Sequence, residues 1–119
     1  MEIILFTKID FENWIINGTH LILNESLISK SRAISQANNP DINQDDILLA
    51  VGFIEGEIVG YKGVLIEIIN RDGRKIKMAW GSTYFIHKKF RGKGYGKKLL
   101  EPFLEFYNFN LAYLFLGIF

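Results

Sequence analysis

The residues best suited to chemistry lie together in one short segment of the chain. Residues 87–98 read HKKFRGKGYGKK, with six basic side chains, no acidic one, and glycines at alternate positions 92, 94 and 96. Glycine accepts backbone conformations with positive φ and has no Cβ to obstruct a ligand. A helix that begins directly after such a loop offers unpaired N–H groups and partial positive charge to an anion. The segment therefore predicts a site for a phosphate-bearing ligand.

Two common nucleotide-binding motifs do not fit this loop. A Walker P-loop ending at Gly96 and Lys97 needs glycine at position 91 and Ser or Thr at position 98, where the chain has Arg91 and Lys98. A dinucleotide fingerprint starting at Gly92 needs glycine at position 97, where the chain has lysine. That fingerprint also opens a βαβ unit, whereas this loop follows a run of predicted antiparallel strands. Both readings are excluded.

The first part of the chain predicts a strand followed by two helices. The apolar run at 3–6 is typical of a short buried strand. Asp10 and Asn24 are flanked by apolar residues placed as hydrophobic staples, so each is predicted to be a helix N-cap. The predicted helices end near Gly18 and Ala37.

The middle of the chain predicts three antiparallel strands joined by tight turns. Apolar runs at 47–54 and 58–69 are separated by a Glu-Gly turn, and an Asp-Gly turn at 72–73 precedes the third strand. In that strand, lysines alternate with apolar residues as in a half-buried strand. Gly81 interrupts it and predicts a bulge or a close backbone approach, and the strand resumes through residue 86.

The last part predicts a helix and a strand. Apolar residues from Leu99 to Tyr107 form a helical stripe, and Pro102 is expected to kink the helix or shorten its first section. Residues 111–119 predict a final buried strand. The element order β-α-α-β-β-β-α-β predicts an α+β fold with a mixed, mostly antiparallel sheet, in one domain over residues 1–119.

Composition narrows the function classes. The chain has 119 residues, and its 49% of hydrophobic residues excludes a disordered protein. The absence of cysteine excludes a disulfide scaffold and thiol catalysis. Two histidines without cysteine predict no metal site. The net charge of +1 predicts no nucleic-acid partner, although the body outside residues 87–98 carries eight basic against thirteen acidic residues.

The sequence also predicts a cytoplasmic protein without a membrane segment. Glu2 stands where a signal peptide needs positive charge. The longest apolar run, residues 111–119, is far shorter than the roughly 20 residues of a membrane helix.

The spacing Arg91-x-x-Gly94-x-Gly96 after an antiparallel strand resembles the Q/R-x-x-G-x-G/A motif of the GNAT acetyltransferase superfamily. Residues 86–90 resemble the end of that family's fourth strand, and Leu99-Leu100 the helix that follows. The resemblance implies a GNAT-like fold, acetyl-CoA or another acyl-CoA as co-substrate, and acyl transfer to a small-molecule or peptide amine by direct attack. Main-chain groups of the loop would hold the pyrophosphate, and the strand near Ile86 the pantetheine arm. The implied cofactor-binding residues are Ile86, Arg91, Gly92, Lys93, Gly94, Tyr95, Gly96 and Lys97.

The chain departs from the family pattern at two places. Many members carry a glutamate general base on the fourth strand, but residues 80–85 contain no acid, so no catalytic residue is assigned. The family's last helix and closing strands would follow Phe119, where the sequence stops. The alternative function is therefore a non-catalytic acyl-CoA-binding or interaction domain of a larger protein. The last strand is expected to be covered by a homodimer partner or by a further C-terminal region.

Other conspicuous side chains receive structural interpretations. Tyr84 lies close enough to reach an acyl site, but sheet packing is favoured for a strand tyrosine. His87 is expected at the surface, and Trp14 and Trp80 in the core. A last group, the acidic loop residues, is expected to be solvated: Asp41, Asp45 and Asp46.

Overall fold

The computed structural model describes residues 1–25, 28–109 and 113–115. The elements follow the predicted order, with short 3-10 turns at Leu23–Glu25 and Lys88–Phe90. The helices and strands are β1 (Glu2–Thr7), α1 (Lys8–Asn17), α2 (Lys30–Ala37), β2 (Ile47–Ile54), β3 (Glu57–Arg71), β4 (Arg74–Ile86), α3 (Tyr95–Phe109) and β5 (Tyr113–Phe115).

The strands form one sheet in the order β1-β2-β3-β4-β5. The first four strands are antiparallel, and β5 runs parallel to β4, pairing with it at Met78–Trp80. The predicted α+β fold with a mixed, mostly antiparallel sheet is confirmed. Of the predicted last strand at 111–119, residues 113–115 form β5, and the others lie outside the described residues.

Helices cover both faces of this sheet. Residues 47–52 of β2 are all buried, which explains why this strand is a continuous apolar run. Farther along the sheet, the hydroxyl of Thr83 contacts α2, while the ring of the next residue, Tyr84, lies against Gly96 of α3. Because successive strand side chains point to opposite faces, α2 and α3 lie on opposite sides of the sheet.

Helix α1 begins before the predicted N-cap Asp10. Thr7 is the N-cap, and the carboxylate of Asp10, in the first turn, accepts hydrogen bonds from the Thr7 N–H at 2.8 Å and from its hydroxyl at 3.1 Å. The N-cap prediction at Asp10 was wrong because an acidic residue at the third helical position can also accept a hydrogen bond from a free N–H at the start of the helix. The predicted stop is confirmed: Gly18 has φ 75° and its N–H donates to the Trp14 carbonyl.

The predicted N-cap Asn24 has a different role. Its side-chain oxygen accepts hydrogen bonds from the Trp14 indole N–H at 2.6 Å and from the His20 N–H at 3.1 Å. This oxygen is therefore not the N-cap acceptor of a following helix. Asn24 lies in a 3-10 turn, and α2 begins only at Lys30. There the N-cap is Ser29, whose hydroxyl accepts from the Arg32 N–H at 3.2 Å.

The predicted interruption near Gly81 is a bulge between β3 and β4. Val64 pairs with Gly81 and Gly63 pairs with Thr83, so Ser82 is an extra residue on β4. Pro102 lies inside α3, which runs from Tyr95 to Phe109, so of the two expected effects the shortening was wrong and the kink stays a prediction.

Asp46 is not solvated, contrary to the expectation for the acidic loop. It is 1% exposed, and its carboxylate binds the Lys77 ammonium at 2.6 and 2.8 Å and the Asn43 N–H at 2.8 Å. Close by, the Tyr107 hydroxyl donates to the Ile47 carbonyl at 2.6 Å. Burial, with Asp46 and Asp45 nearby, raises the pKa of Tyr107 and keeps this donor protonated. This polar cluster fixes α3 to the start of β2.

The two tryptophans differ in burial. Trp14 is 3% exposed and belongs to the core, as expected. Trp80 is only half-buried and lines a surface groove, so its assignment to the core was wrong.

We expect Asp46→Asn to lower the free energy of unfolding by about 2–4 kcal/mol, because it leaves the largely buried Lys77 ammonium without its counter-ion. Urea denaturation measures the change. Asp45→Asn is the matched control: it removes the same charge from the exposed neighbouring residue and should change stability by less than about 0.5 kcal/mol. Equal losses in the two variants would contradict the assignment.

Candidate functional site

The connection from β4 to α3 is held firmly at its start. The His87 N–H donates to the Val59 carbonyl at 2.8 Å, which extends the pairing with β3 by one residue. A 3-10 turn follows, and its last residue, Phe90, is 8% exposed. The Phe90 ring meets the edge of the Tyr95 ring at a centroid distance of 6.1 Å. The loop is thus attached to the sheet before its glycines and to α3 after them.

The glycines of the loop have the predicted conformations. Gly92 has φ 77° and Gly94 has φ 82°, a region in which residues with a side chain are strained. A Cβ built at either position meets no atom within 4 Å, so the space in front of the loop is open. These glycines therefore shape the backbone and expose it.

The backbone N–H groups of residues 92–97 have no hydrogen-bond acceptor in the described part of the chain. Because α3 begins at Tyr95, the donors of its first turn have no carbonyl one turn earlier. The first α-helical bond comes later, from the Lys98 N–H to the Gly94 carbonyl at 3.4 Å. A continuous run of free donors at a helix N-terminus is suited to an anion with several oxygens.

A pocket of about 440 Å³ lies between this loop and the end of β4. It is lined by seven of the eight residues that the sequence analysis assigned to cofactor binding, together with Tyr84, Phe85 and Phe90. Of the eight, Lys93 is not part of the lining. The residues brought together are Ile86, Arg91, Gly92, Gly94, Tyr95, Gly96 and Lys97.

Arg91 joins the loop to β4. Its Nε–H donates to the Ile86 carbonyl at 2.8 Å, and its guanidinium lies 5.9 Å from the centre of the Phe85 ring. Another basic residue of the loop, Lys89, forms an exposed ion pair with Glu57 at 2.6 Å. Arg91 therefore fixes the pocket wall. Lys97 is also a lining residue, and its side chain has no ion-pair partner in the described residues.

Tyr84 and Lys62 form a part of the site that sequence reasoning missed. Tyr84 packs on the sheet surface as predicted, with its ring against Gly96, but it is 60% exposed and also lines the pocket. Lys62, directly opposite on β3, is 7% exposed with its ammonium 5.7 Å from the Tyr84 ring centre. Burial lowers the pKa of Lys62. A lone lysine inside the apolar run of β3 was the available signal.

The remaining predicted side chains lie elsewhere. His87 is exposed, as expected, and the edge of its ring meets Phe85 at 5.0 Å between centroids. Within the described ranges, no three His, Cys, Asp or Glu side chains are grouped to hold a metal ion. None of the described helices is long and apolar enough to cross a membrane.

A family model matches most of the chain. The model described as the acetyltransferase (GNAT) family aligns with residues 18–116, which include the whole of the glycine loop and its flanking elements. The chain belongs to the GNAT acetyltransferase family. The resemblance drawn from the spacing of Arg91, Gly94 and Gly96 is thereby confirmed.

Solved structures show the same fold. A GNAT family acetyltransferase of Staphylococcus aureus is 26% identical, with a TM-score of 0.55 over 99% of this chain and 89% of its own. The acetyltransferase from Vibrio fischeri is 14% identical, with a TM-score of 0.61 over 97% and 93%. An aminoglycoside acetyltransferase from an uncultured soil metagenomic sample is 16% identical, with a TM-score of 0.61 over 99% and 77%. A comparison with curated protein sequences gives no significant match.

The contact between Tyr84 and Gly96 predicts coupled substitutions in this GNAT chain. A Cβ at position 96 would collide with the Tyr84 hydroxyl, so Gly96→Ala must displace the ring from the start of α3. We expect the variant to lose less than about 1 kcal/mol of folding stability, because the atom that must move is the far end of an exposed side chain. In a Tyr84→Ala background, Gly96→Ala should be neutral or slightly stabilising, because alanine is the better helix former. Urea denaturation of the double-mutant cycle measures the coupling, and additive effects would contradict the contact.

Proposed function

We propose that this GNAT chain is an acyl-CoA-dependent N-acyltransferase that transfers an acetyl or other acyl group to an amine by direct attack. The supporting observation is the run of free N–H donors over residues 92–97, which faces an open pocket at the amino end of α3. A pyrophosphate has the oxygens to accept from several of these donors at once. The sequence-based expectation of one cytoplasmic domain over residues 1–119 remains part of this proposal.

In this proposal the residues of the glycine loop and of the end of β4 bind different parts of the acyl-CoA. The N–H groups of Gly92, Gly94 and Gly96 would bind the pyrophosphate, with Lys97 adding positive charge. Arg91 acts as a positioning residue, because its hydrogen bond to the Ile86 carbonyl fixes the loop against the strand. The pantetheine arm would lie along this end of β4, beside Tyr84 and Ile86. Lys93, outside the lining, would act only through its charge.

The bound acyl-CoA supplies an activated thioester carbonyl. In the transfer, a bond forms from the amine nitrogen to the acyl carbon, the carbon–sulfur bond breaks, the thiolate leaves, and the nitrogen gives up a proton. The contribution of the chain is to hold the two reactants in line, which alone accounts for a large rate enhancement. No Asp or Glu lines the pocket at the loop, so the described pocket offers no carboxylate base for that proton.

The same lack of a carboxylate favours a second candidate function, a GNAT-like domain that binds acyl-CoA without turnover. The two candidates share the pocket and differ only in the fate of the thioester. Release of free thiol over a broad panel of amines, followed with a thiol-specific dye, separates them: sustained amine-dependent release supports the transferase, and binding without release supports the binding domain.

The structural neighbours include an acetyltransferase whose acceptor can be tested with this chain. One structural neighbour, an aminoglycoside acetyltransferase, was solved both with trehalose and with sisomicin. At 16% identity it shares the fold with this chain, and we include an aminoglycoside in the panel of amines on that ground alone.

Isothermal titration calorimetry tests the cofactor pocket. We expect acetyl-CoA to bind the wild-type chain, and Gly94→Val to abolish binding, because a β-branched residue cannot hold φ 82° and its side chain fills the open space before the loop. Lys97→Ala should weaken binding about 3- to 10-fold through loss of one charge near the phosphates.

Lys75→Ala is the matched control for Lys97→Ala, since it removes the same charge from an exposed position near the β3–β4 turn. It should leave the affinity unchanged. The pocket would not be the acyl-CoA site if the wild type did not bind acetyl-CoA, or if the two lysine variants weakened binding equally.

We also expect a distinctive pH dependence. Without a carboxylate base in the pocket, the free amine must form by loss of its proton to water, so kcat/KM should rise with pH until the acceptor's own pKa is passed. Two acceptors with different amine pKa values should then give profiles displaced by that difference. A shared midpoint for both acceptors would instead reveal a titrating group of the enzyme.

A further inference from the structure

Another groove lies at the bulge of β4, on the face of the sheet that carries α2. Its volume is about 600 Å³. Ser31 and Ser35 line it from α2, and Trp80 and Gly81 line it from β4. The groove is distinct from the pocket at the glycine loop, with which it shares no lining residue.

Arg32 supplies the charge of this groove. One terminal nitrogen of its guanidinium donates to the Thr83 hydroxyl at 2.6 Å, and the other donates to the Ser82 hydroxyl. Its Nε is buried without a hydrogen-bond acceptor in the described residues. No carboxylate within those residues lies within 4 Å of the guanidinium. The other lining residues are uncharged, so within the described part of the chain the groove carries one positive charge without a counter-ion.

A half-buried cation without a counter-ion costs stability, and hydroxyl groups orient it without neutralising it. Burial lowers the pKa of Arg32, and no neighbouring charge offsets this effect. A guanidinium has five N–H donors, and the two bonds to hydroxyls leave one N–H on each terminal nitrogen. The planar guanidinium is a fork of N–H donors that in general suits the oxygens of a carboxylate or phosphate.

The groove and the pocket lie on opposite faces of β4, at neighbouring residues of the strand. Thr83 and Tyr84 are consecutive, and they point to opposite faces: the first toward Arg32, the second into the pocket. From Ser82, which lines the groove, to Tyr84 is two residues, or about 7 Å of strand. A ligand in the groove therefore lies beside the strand segment along which the acyl group would be presented.

We propose that this groove receives the acceptor and that Arg32 binds an oxyanion carried by it, a carboxylate or a phosphate. The inference rests on the proposed function and adds the acceptor's chemical class: an amine that bears a negative charge, as amino acids and aminoalkyl phosphates do. The same positive charge disfavours polycationic amines such as aminoglycosides.

Arg32 also joins α2 to β4, so the experiment must separate recognition from support of the fold. A purely structural role would lower turnover of every acceptor by the same factor. Recognition of an oxyanion changes the ratio between a charged acceptor and its neutral counterpart, and acts mainly through KM.

The experiment compares matched acceptor pairs: amino acids with their α-amides, and phosphoethanolamine with ethanolamine, with an aminoglycoside as a third arm. For the wild type we expect the anionic member of a pair to be preferred when kcat/KM is calculated for the unprotonated amine, and the preferred pair distinguishes carboxylate from phosphate. Arg32→Gln should lower kcat/KM for that member about 10- to 100-fold and for the neutral member less than about 3-fold.

Arg32→Lys keeps the charge but loses the fork, so it should fall between the wild type and Arg32→Gln. It also keeps the test valid if the glutamine variant does not fold, which urea denaturation and acetyl-CoA affinity would reveal. Arg74→Gln, a loss of the same charge at an exposed residue of the β3–β4 turn, should leave the ratio unchanged.

The outcomes separate the two proposals. Preference for neutral amines or aminoglycosides, or an equal loss for all acceptors in Arg32→Gln, overturns the inference and leaves the transferase standing. If no amine is acylated, the transferase fails, and calorimetry of the anionic amines with CoA present decides the inference alone. Binding lost in Arg32→Gln then supports the anion site, and no binding to the wild type overturns it.

Discussion

One extra residue in β4 determines how the rest of the site is arranged. Ser82 has no partner on β3, and this bulge places two consecutive hydroxyls, those of Ser82 and Thr83, against the same guanidinium. In a regular strand these side chains would point to opposite faces. After the bulge the alternation resumes, and Tyr84 turns toward α3. The bulge thus divides β4 into a segment that faces the groove and a segment that faces the pocket.

Charge and backbone would contribute differently to the anion site that we propose at the glycine loop. Two of the basic side chains of the loop form structural contacts: Arg91 hydrogen-bonds to the end of β4 and Lys89 pairs with Glu57. The N–H groups of residues 92–97 have no acceptor among the described residues, and the fold determines their direction. Basic residues attract an anion over distance, whereas oriented backbone donors distinguish its shape.

The sequence predicted the features that depend on local pattern. The bounds of β2 and the stop at Gly18 follow from apolar runs and glycine chemistry, and the glycine loop was found from spacing alone. The starts of α1 and α2 were missed because Asp10 and Asn24 could each act as an N-cap or accept a different hydrogen bond. Contacts such as the bond from the Trp14 indole N–H to the Asn24 side chain decide which role each residue takes. Arg32 was missed for a related reason: it meets Thr83, 51 residues away, only once the sheet has formed. The burial of Asp46 likewise depends on Lys77, 31 residues later.

The firm attachment of the glycine loop has a consequence for the thermodynamics of binding. The buried Phe90 packs into the core before the glycines, Arg91 hydrogen-bonds to the end of β4, and the Lys98 N–H donates to the Gly94 carbonyl in the first turn of α3. The conformational entropy of these residues is therefore lost when the chain folds and not when a ligand arrives. If the chain binds acyl-CoA as we propose, this preorganisation would lower the entropic cost of binding, and association would need no preceding rearrangement of the loop.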